Sequence, residues 1–188
     1  MKKLSQMIKR CRKCPLWRYR KNPVPGEGPL NSKLFFVGEA PGRLEDETGR
    51  PFVGPSGKFL EKLLNSIGLK RKNVFLTGIV KCRPPNNRKP TRKEIEACKR
   101  YTLKQIEIIR PSLIIVLGAT ASEGLLDIRK IGKLHGKIIE KNGNKYFITF
   151  HPSAARRFPK IRKLMIKDFK KLKSLLIKEK IWNLKLSK

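Results

Sequence analysis

A chain of 188 residues with 39% apolar content is long enough to bury one core of ordinary size. Lys and Arg number 46 against 14 Asp and Glu, a formal charge of +32. That excess goes beyond what solubility requires and points to a polyanionic partner, nucleic acid ahead of a membrane surface. A lysine-rich surface suited to high temperature is the bland alternative, weakened by the shortage of acids to pair with. No apolar leader opens the chain, and the longest apolar run, residues 113–117, is far too short to cross a bilayer. The expectation is a soluble intracellular protein, cytoplasmic and associated with the nucleoid.

In chain order, residues 3–10 predict a short helix leading into Cys11. Residues 15–32 are irregular, punctuated by four prolines and two glycines. Residues 34–37 form a continuous apolar strand that stops at Gly38, and a loop rich in Gly and Pro runs from Glu39 to Pro55. Ser56 opens a helix with Phe59, Leu60, Leu63, Leu64 and Ile67 at helical spacing, closed by Gly68. A second strand covers 74–77. Thr91 and Glu94 then make a capping box for a long helix to about Arg110. Residues 113–117 read as a fully buried strand, followed by a helix over about 120–126. Segments 137–140 and 145–150 flank the hairpin turn Asn142-Gly143. His151-Pro152-Ser153 follows the last strand directly. Pro159 opens a final helix to about Lys178, and residues 179–188 read as a loose basic tail beyond a single domain over 1–178.

Strands alternating with helices predict an α/β fold, a three-layer sandwich around a mostly parallel sheet. Ligands of such sheets bind beyond the C-terminal ends of the strands. Gly38-Glu39, Thr77-Gly78 and His151 all follow strands, so they are expected to share one crevice.

The four cysteines are Cys11, Cys14 (followed by Pro15), Cys82 and Cys98. Four converging thiolates suit zinc or an iron–sulfur cluster. Disulfides or free core thiols are the alternatives, and disulfides are rare inside cells. Gly38-Glu39-Ala40-Pro41-Gly42 is either a rigid turn that can bring a carboxylate and backbone N–H groups close to a ligand or a simple strand-to-loop turn. Phe52, between Pro51 and Val53-Gly54, is either a stacking platform for a base or a loop anchor. His151 reads as a site residue and His135 as structural. Ser153, Arg156 and Arg157 are placed to grip phosphates.

Taken together, these segments resemble the family-four uracil-DNA glycosylases, the iron–sulfur class of thermophiles. The matching residues are Cys11-x-x-Cys14-Pro15-Leu16, 24–29 (VPGEGP), 38–42 (GEAPG) through 49–54 (GRPFVG), 81–88 (KCRPPNNR), Cys98 and His151-Pro152-Ser153. They run in the expected order over nearly the whole chain. The resemblance implies a uracil-DNA-glycosylase-like fold and a monofunctional enzyme that flips uracil out of DNA and hydrolyses its N-glycosidic bond. It implies that Cys11, Cys14, Cys82 and Cys98 hold a [4Fe–4S] cluster, with zinc as the alternative. Glu39 and the Ala40 backbone would sit beside the glycosidic bond. Phe52 would stack on the base, and His151 would bond uracil O2. Ser56, Gly57 and Ser153 would grip phosphates, and Arg156 or Arg157 would wedge into the duplex. The partner implied is uracil-containing DNA, single- or double-stranded, met by a monomer, with a replication clamp or other repair proteins as further partners.

One position departs from the pattern. Many members of the family carry Asn four residues before the third cysteine, where it reads the uracil edge, and here that residue is Gly78. The departure leaves open a glycosylase of altered or broadened base specificity. A non-catalytic metal-containing nucleic-acid-binding module is the other alternative.

Overall fold

The computed structural model describes residues 1–181. Five strands form one sheet in the order β2-β1-β3-β5-β4. They are β1 (Leu34–Gly38), β2 (Phe75–Gly78), β3 (Leu113–Leu117), β4 (Ile138–Lys141) and β5 (Asn144–Thr149). All pairs are parallel except β4 with β5, which form the hairpin around Asn142-Gly143. Both residues of that turn have left-handed φ, as a two-residue hairpin turn demands.

The continuous apolar strands follow from burial on both faces. In β1, Phe35 and Val37 point into one core, while Leu34 and Phe36 point into the other. The first core lies under α1 (Lys2–Lys9), α4 (Arg92–Ile109) and α5 (Ala119–Leu126). The second lies under α3 (Pro55–Ser66) and α7 (Pro159–Lys178). Thr91 caps α4 as its capping box predicts, its side chain accepting from the Glu94 N–H. The expected three-layer sandwich is therefore present. No described helix is long and apolar enough to cross a membrane.

Two short helices differ from the sequence-based expectation. The segment from Glu39 to Pro55 is not all loop, since Arg43–Thr48 forms α2. Its residues are nearly all polar, so no apolar period marks it. It is held by Glu45 at its start and by a left-handed Gly49 at its end. Pro152–Arg157 forms α6, with His151 as its N-cap. Pro152 at the first helical position is a start signal that its neighbour's histidine overshadowed. Residues 182–188 of the expected basic tail lie outside the described residues. Ile181, just before them, packs into the second core.

The edge strand β2 is covered by the segment around Glu27, whose N–H and C=O both bond Leu76. Gly28 allows this approach: a Cβ there would sit 2.3 Å from the Val74 carbonyl oxygen. The 24–29 motif is thus an edge cover that carries Glu27 toward the site.

Candidate active site and cysteine cavity

The C-terminal ends of β1, β2 and β5 open into one crevice of about 510 Å³. Glu39, Ala40, Phe52, Ser56, Gly78, His151, Ser153 and Arg157 all line it. Two expected residues do not. Arg156 is exposed on α6 away from the lining. Gly57 is buried against the Phe52 backbone, where a Cβ would lie 1.9 Å from the Phe52 carbonyl oxygen. Gly57 therefore gives Phe52 room.

His151 lines the crevice and is half-buried there. Its Nδ1 accepts from the Ser153 N–H at 3.2 Å and lies 2.7 Å from Ser153 Oγ. With Nδ1 an acceptor, the ring proton sits on Nε2, which faces the end of β1 near Gly38. Loss of water pulls the imidazole pKa down to about 4, so the ring is neutral at neutral pH. Ser153 was expected to grip phosphate. Within the chain its hydroxyl meets His151 Nδ1 and helps to orient that ring.

Phe52 stands opposite, its ring centroid 6.4 Å from that of His151 at a tilt of 32°. Its φ of 53° is left-handed, an outlier for a bulky side chain. Gly38 and Gly57 leave the room this needs, since a Cβ at Gly38 would come within 2.6 Å of the Phe52 ring.

Glu39 follows β1. Its backbone is pinned by N–H groups beyond β2: Ile79 donates to the Gly38 carbonyl and Val80 to that of Glu39, at 2.9 and 3.0 Å. Its Oε2 accepts from Thr120 Oγ at 2.5 Å, leaving Oε1 free to act in the crevice. Thr120 lies just past β3, so only the sheet order could have linked it with Glu39.

Sequence reading also passed over Glu45 and Lys81. Glu45 accepts from the N–H groups of Gly42, Val53 and Gly54, at 3.1, 3.0 and 2.7 Å, and so ties the two loops of the crevice together. Lys81 is 1% exposed. Its Nζ donates to Thr77 Oγ1, the Gly78 carbonyl and Gln105 Oε1, at 2.6, 2.8 and 2.7 Å. Desolvation draws its pKa down to about 7. A lysine in a run of basic residues gives no signal that it will be buried.

At Gly78 the backbone has closed in. It pairs in register with Gly38, and a Cβ would meet the Val80 carbonyl oxygen at 2.8 Å and that of Glu39 at 3.2 Å. No room remains here for the side chain that the resemblance led one to look for.

On the opposite face of the sheet from α3 and α7, all four cysteines line a second, small cavity with Ile8, Trp17, Lys81 and Tyr101. None is in a disulfide. Arg20 Nη1 donates to Cys82 Sγ at 3.0 Å, and the Lys81 N–H donates to Cys98 Sγ at 3.2 Å. Burial pushes Cys98 up to about 12 and raises Cys14 and Cys82 as well. Thiols in this setting become thiolates only beside a strong cationic charge such as a bound metal, and N–H donors aimed at sulfur suit that state. Among the described residues, no three His, Cys, Asp or Glu side chains gather at a position for one metal ion. The four thiols line one small cavity.

The Uracil DNA glycosylase superfamily matches this chain over residues 25–173. The chain is 47% identical to a Type-4 uracil-DNA glycosylase of Saccharolobus solfataricus, over 92% of this chain and 85% of that protein. It is 46% identical to another of Thermotoga maritima, over 95% and 96% respectively. A Type-5 uracil-DNA glycosylase of Pyrobaculum aerophilum is more distant, at 32% identity over 78% of this chain and 72% of that protein.

Proposed function

Because this chain belongs to the uracil DNA glycosylase superfamily, we infer that the space between Phe52 and His151 is where an extruded uracil is held and cut from its sugar. The protein is a DNA repair glycosylase that hydrolyses the N-glycosidic bond of uracil in DNA. The observation that carries the site assignment is the neutral His151, with its Nε2–H turned into a crevice faced by an aromatic ring.

Extruding a nucleotide costs a few kcal/mol, which phosphate contacts and counterion release on a +32 chain offset. Arg157 and Ser56 on the crevice wall are the nearest candidates for those contacts. The base stacks on Phe52. As the bond lengthens, negative charge develops on uracil and positive charge on the sugar. His151 donates from Nε2 to uracil O2. A neutral donor matches a developing anion without first having to lose a counter-charge. Glu39, held at Oε2 by Thr120, presents its other oxygen to the cationic sugar or to the attacking water. No lysine is among the described residues lining the crevice, which supports water as nucleophile rather than a Schiff base.

The chemistry of the four thiols fits a [4Fe–4S] cluster, held by Cys11, Cys14, Cys82 and Cys98. Four cysteines are an ordinary ligand set for such a cluster, with a single zinc as the alternative. Its contribution when bound is structural: it joins the N-terminal segment, the turn after β2 and α4. Gly78 favours a second reading of specificity, in which the base edge is read by backbone groups and deaminated bases other than uracil are accepted.

Duplexes carrying one uracil, hypoxanthine or xanthine test these readings together. Cleavage of uracil with an abasic product supports the function, and comparable cleavage of the other two supports broad specificity. Tight binding without cleavage of any of them contradicts both. Purified protein should be yellow-brown with roughly four irons per chain; a colourless protein with one zinc contradicts the cluster.

A further inference from the structure

Phe52 holds an unfavourable backbone conformation that its own loop does not explain. Left-handed φ is unfavourable for a bulky residue and persists only where the surroundings impose it. The groups that impose it come from elsewhere in the chain. Arg71, in the 3-10 turn before β2, donates from Nη1 to the Phe52 carbonyl at 2.9 Å and from Nη2 to the Pro51 carbonyl at 2.5 Å. The same guanidinium donates from Nε to Glu27 Oε1 at 3.1 Å. Glu27 also takes a bidentate pair from Arg50, at 2.8 and 3.0 Å. Its carboxyl is drawn down to about 2, first by the Arg50 hydrogen bond and then by Arg71. Glu27 is itself anchored to the edge of the sheet through Leu76.

We propose that Arg71 is a positioning residue for the base platform: clamped by Glu27, it grips two successive carbonyls and so sets where the Phe52 ring stands. A planar guanidinium with three donors aimed at three acceptors does this in a way no lysine reproduces. The arrangement explains why Glu27 and Arg50 sit in two separate motifs. One comes from the edge cover of β2 and the other from the loop bearing Phe52, and they meet on either side of the clamp. The inference rests on the reading of Phe52 as the surface that stacks on uracil.

The test is inhibition of cleavage by free uracil, measured for Arg71→Ala, Glu27→Gln, Phe52→Ala and the Arg71→Ala/Phe52→Ala pair, with each protein's melting midpoint. Arg71→Ala should weaken inhibition roughly tenfold, the order of one lost stacking contact. Glu27→Gln, which leaves Arg71 in place but loosens it, should weaken inhibition less. The double variant should bind uracil no worse than Phe52→Ala alone, because the clamp acts only through that ring. A merely structural arginine would lower the melting midpoint and add its loss to that of Phe52→Ala. Unchanged uracil inhibition in folded Arg71→Ala, or additive losses in the pair, overturns the proposal while leaving Phe52 as the platform. If Phe52→Ala itself binds uracil like the parent, the platform reading falls and this proposal with it.

Discussion

The crevice and the cysteine cavity lie within a few residues of each other along the chain, yet they are held together in different ways. In the crevice every key group already has its partner. Glu39 is held by Thr120, His151 by Ser153, Phe52 by Arg71, and the loops by Glu45. In the cavity, three of the four thiols have pKa values raised by burial, and three N–H donors, from Lys13, Arg20 and Lys81, point at sulfur among the described residues. The first region is complete from the protein's own bonds; in the second, the proposed cluster would supply what the four buried thiols lack. Chemistry and stability should therefore separate under mutation, even though Lys81 touches both regions through Gly78 and Cys98.

The largest effect is expected in the cavity. Cys98→Ser should abolish cluster binding and destabilise the face formed by α1 and α4. A loss on the order of 5 kcal/mol, as for other severed metal links, lowers the melting midpoint by roughly 10–20 °C. A protein with iron content and midpoint unchanged would place Cys98 outside the ligand set.

Changes in the crevice should do the reverse. Glu39→Ala should lower single-turnover cleavage by roughly 10²-fold, the scale of one lost electrostatic contact, with little change in midpoint or duplex affinity. A drop in midpoint equal to that of Cys98→Ser would erase the distinction between the two regions.

Gly78→Asn probes the seam between them. The added Cβ meets backbone at 2.8 Å, so the turn that pins Glu39 must shift. Cleavage of uracil should fall roughly tenfold, consistent with ordinary overpacking costs. A gain in activity would mean that the backbone yields readily and that the position awaits an amide.

The smallest effect is on pH dependence. Burial lowers the His151 pKa to about 4, against an ordinary value near 6.5. The folded state therefore resists a proton that the unfolded state accepts. Stability is fully present above 6.5 and declines as pH falls toward 4. In kcat/KM, which reports the free enzyme, the acid limb should fall near pH 4 and not near 6.5. An inflection near 6.5 assigned to His151 would mean that the ring is exposed to water.

Much of this was legible in sequence because burial on both faces of a parallel sheet writes continuous apolar runs, as in β1 and β3. Glu39, Phe52, Gly78 and His151 could be placed together because each follows a strand or sits in a punctuated loop. Their holders were not legible. Thr120 meets Glu39 only because β3 lies beside β1, and Arg71 meets Phe52 only after a helix and a turn bring them back together. Neither stands out in its local sequence, and their roles arise from tertiary proximity. The contacts that Gly57 and Ser153 make within the chain were hidden for a related reason. A small residue or a hydroxyl near a phosphate-binding sequence can equally serve its neighbour, and here each serves the ring that the base would touch.

The central claim is that catalysis resides in a preformed crevice centred on His151. It is tested most directly by single-turnover cleavage of a duplex with one uracil, comparing the parent with His151→Ala. The parent should release uracil. The variant should be slower by roughly 10²-fold or more, with duplex affinity and melting midpoint close to the parent's. A folded His151→Ala protein that cleaves at the parental rate would contradict the account.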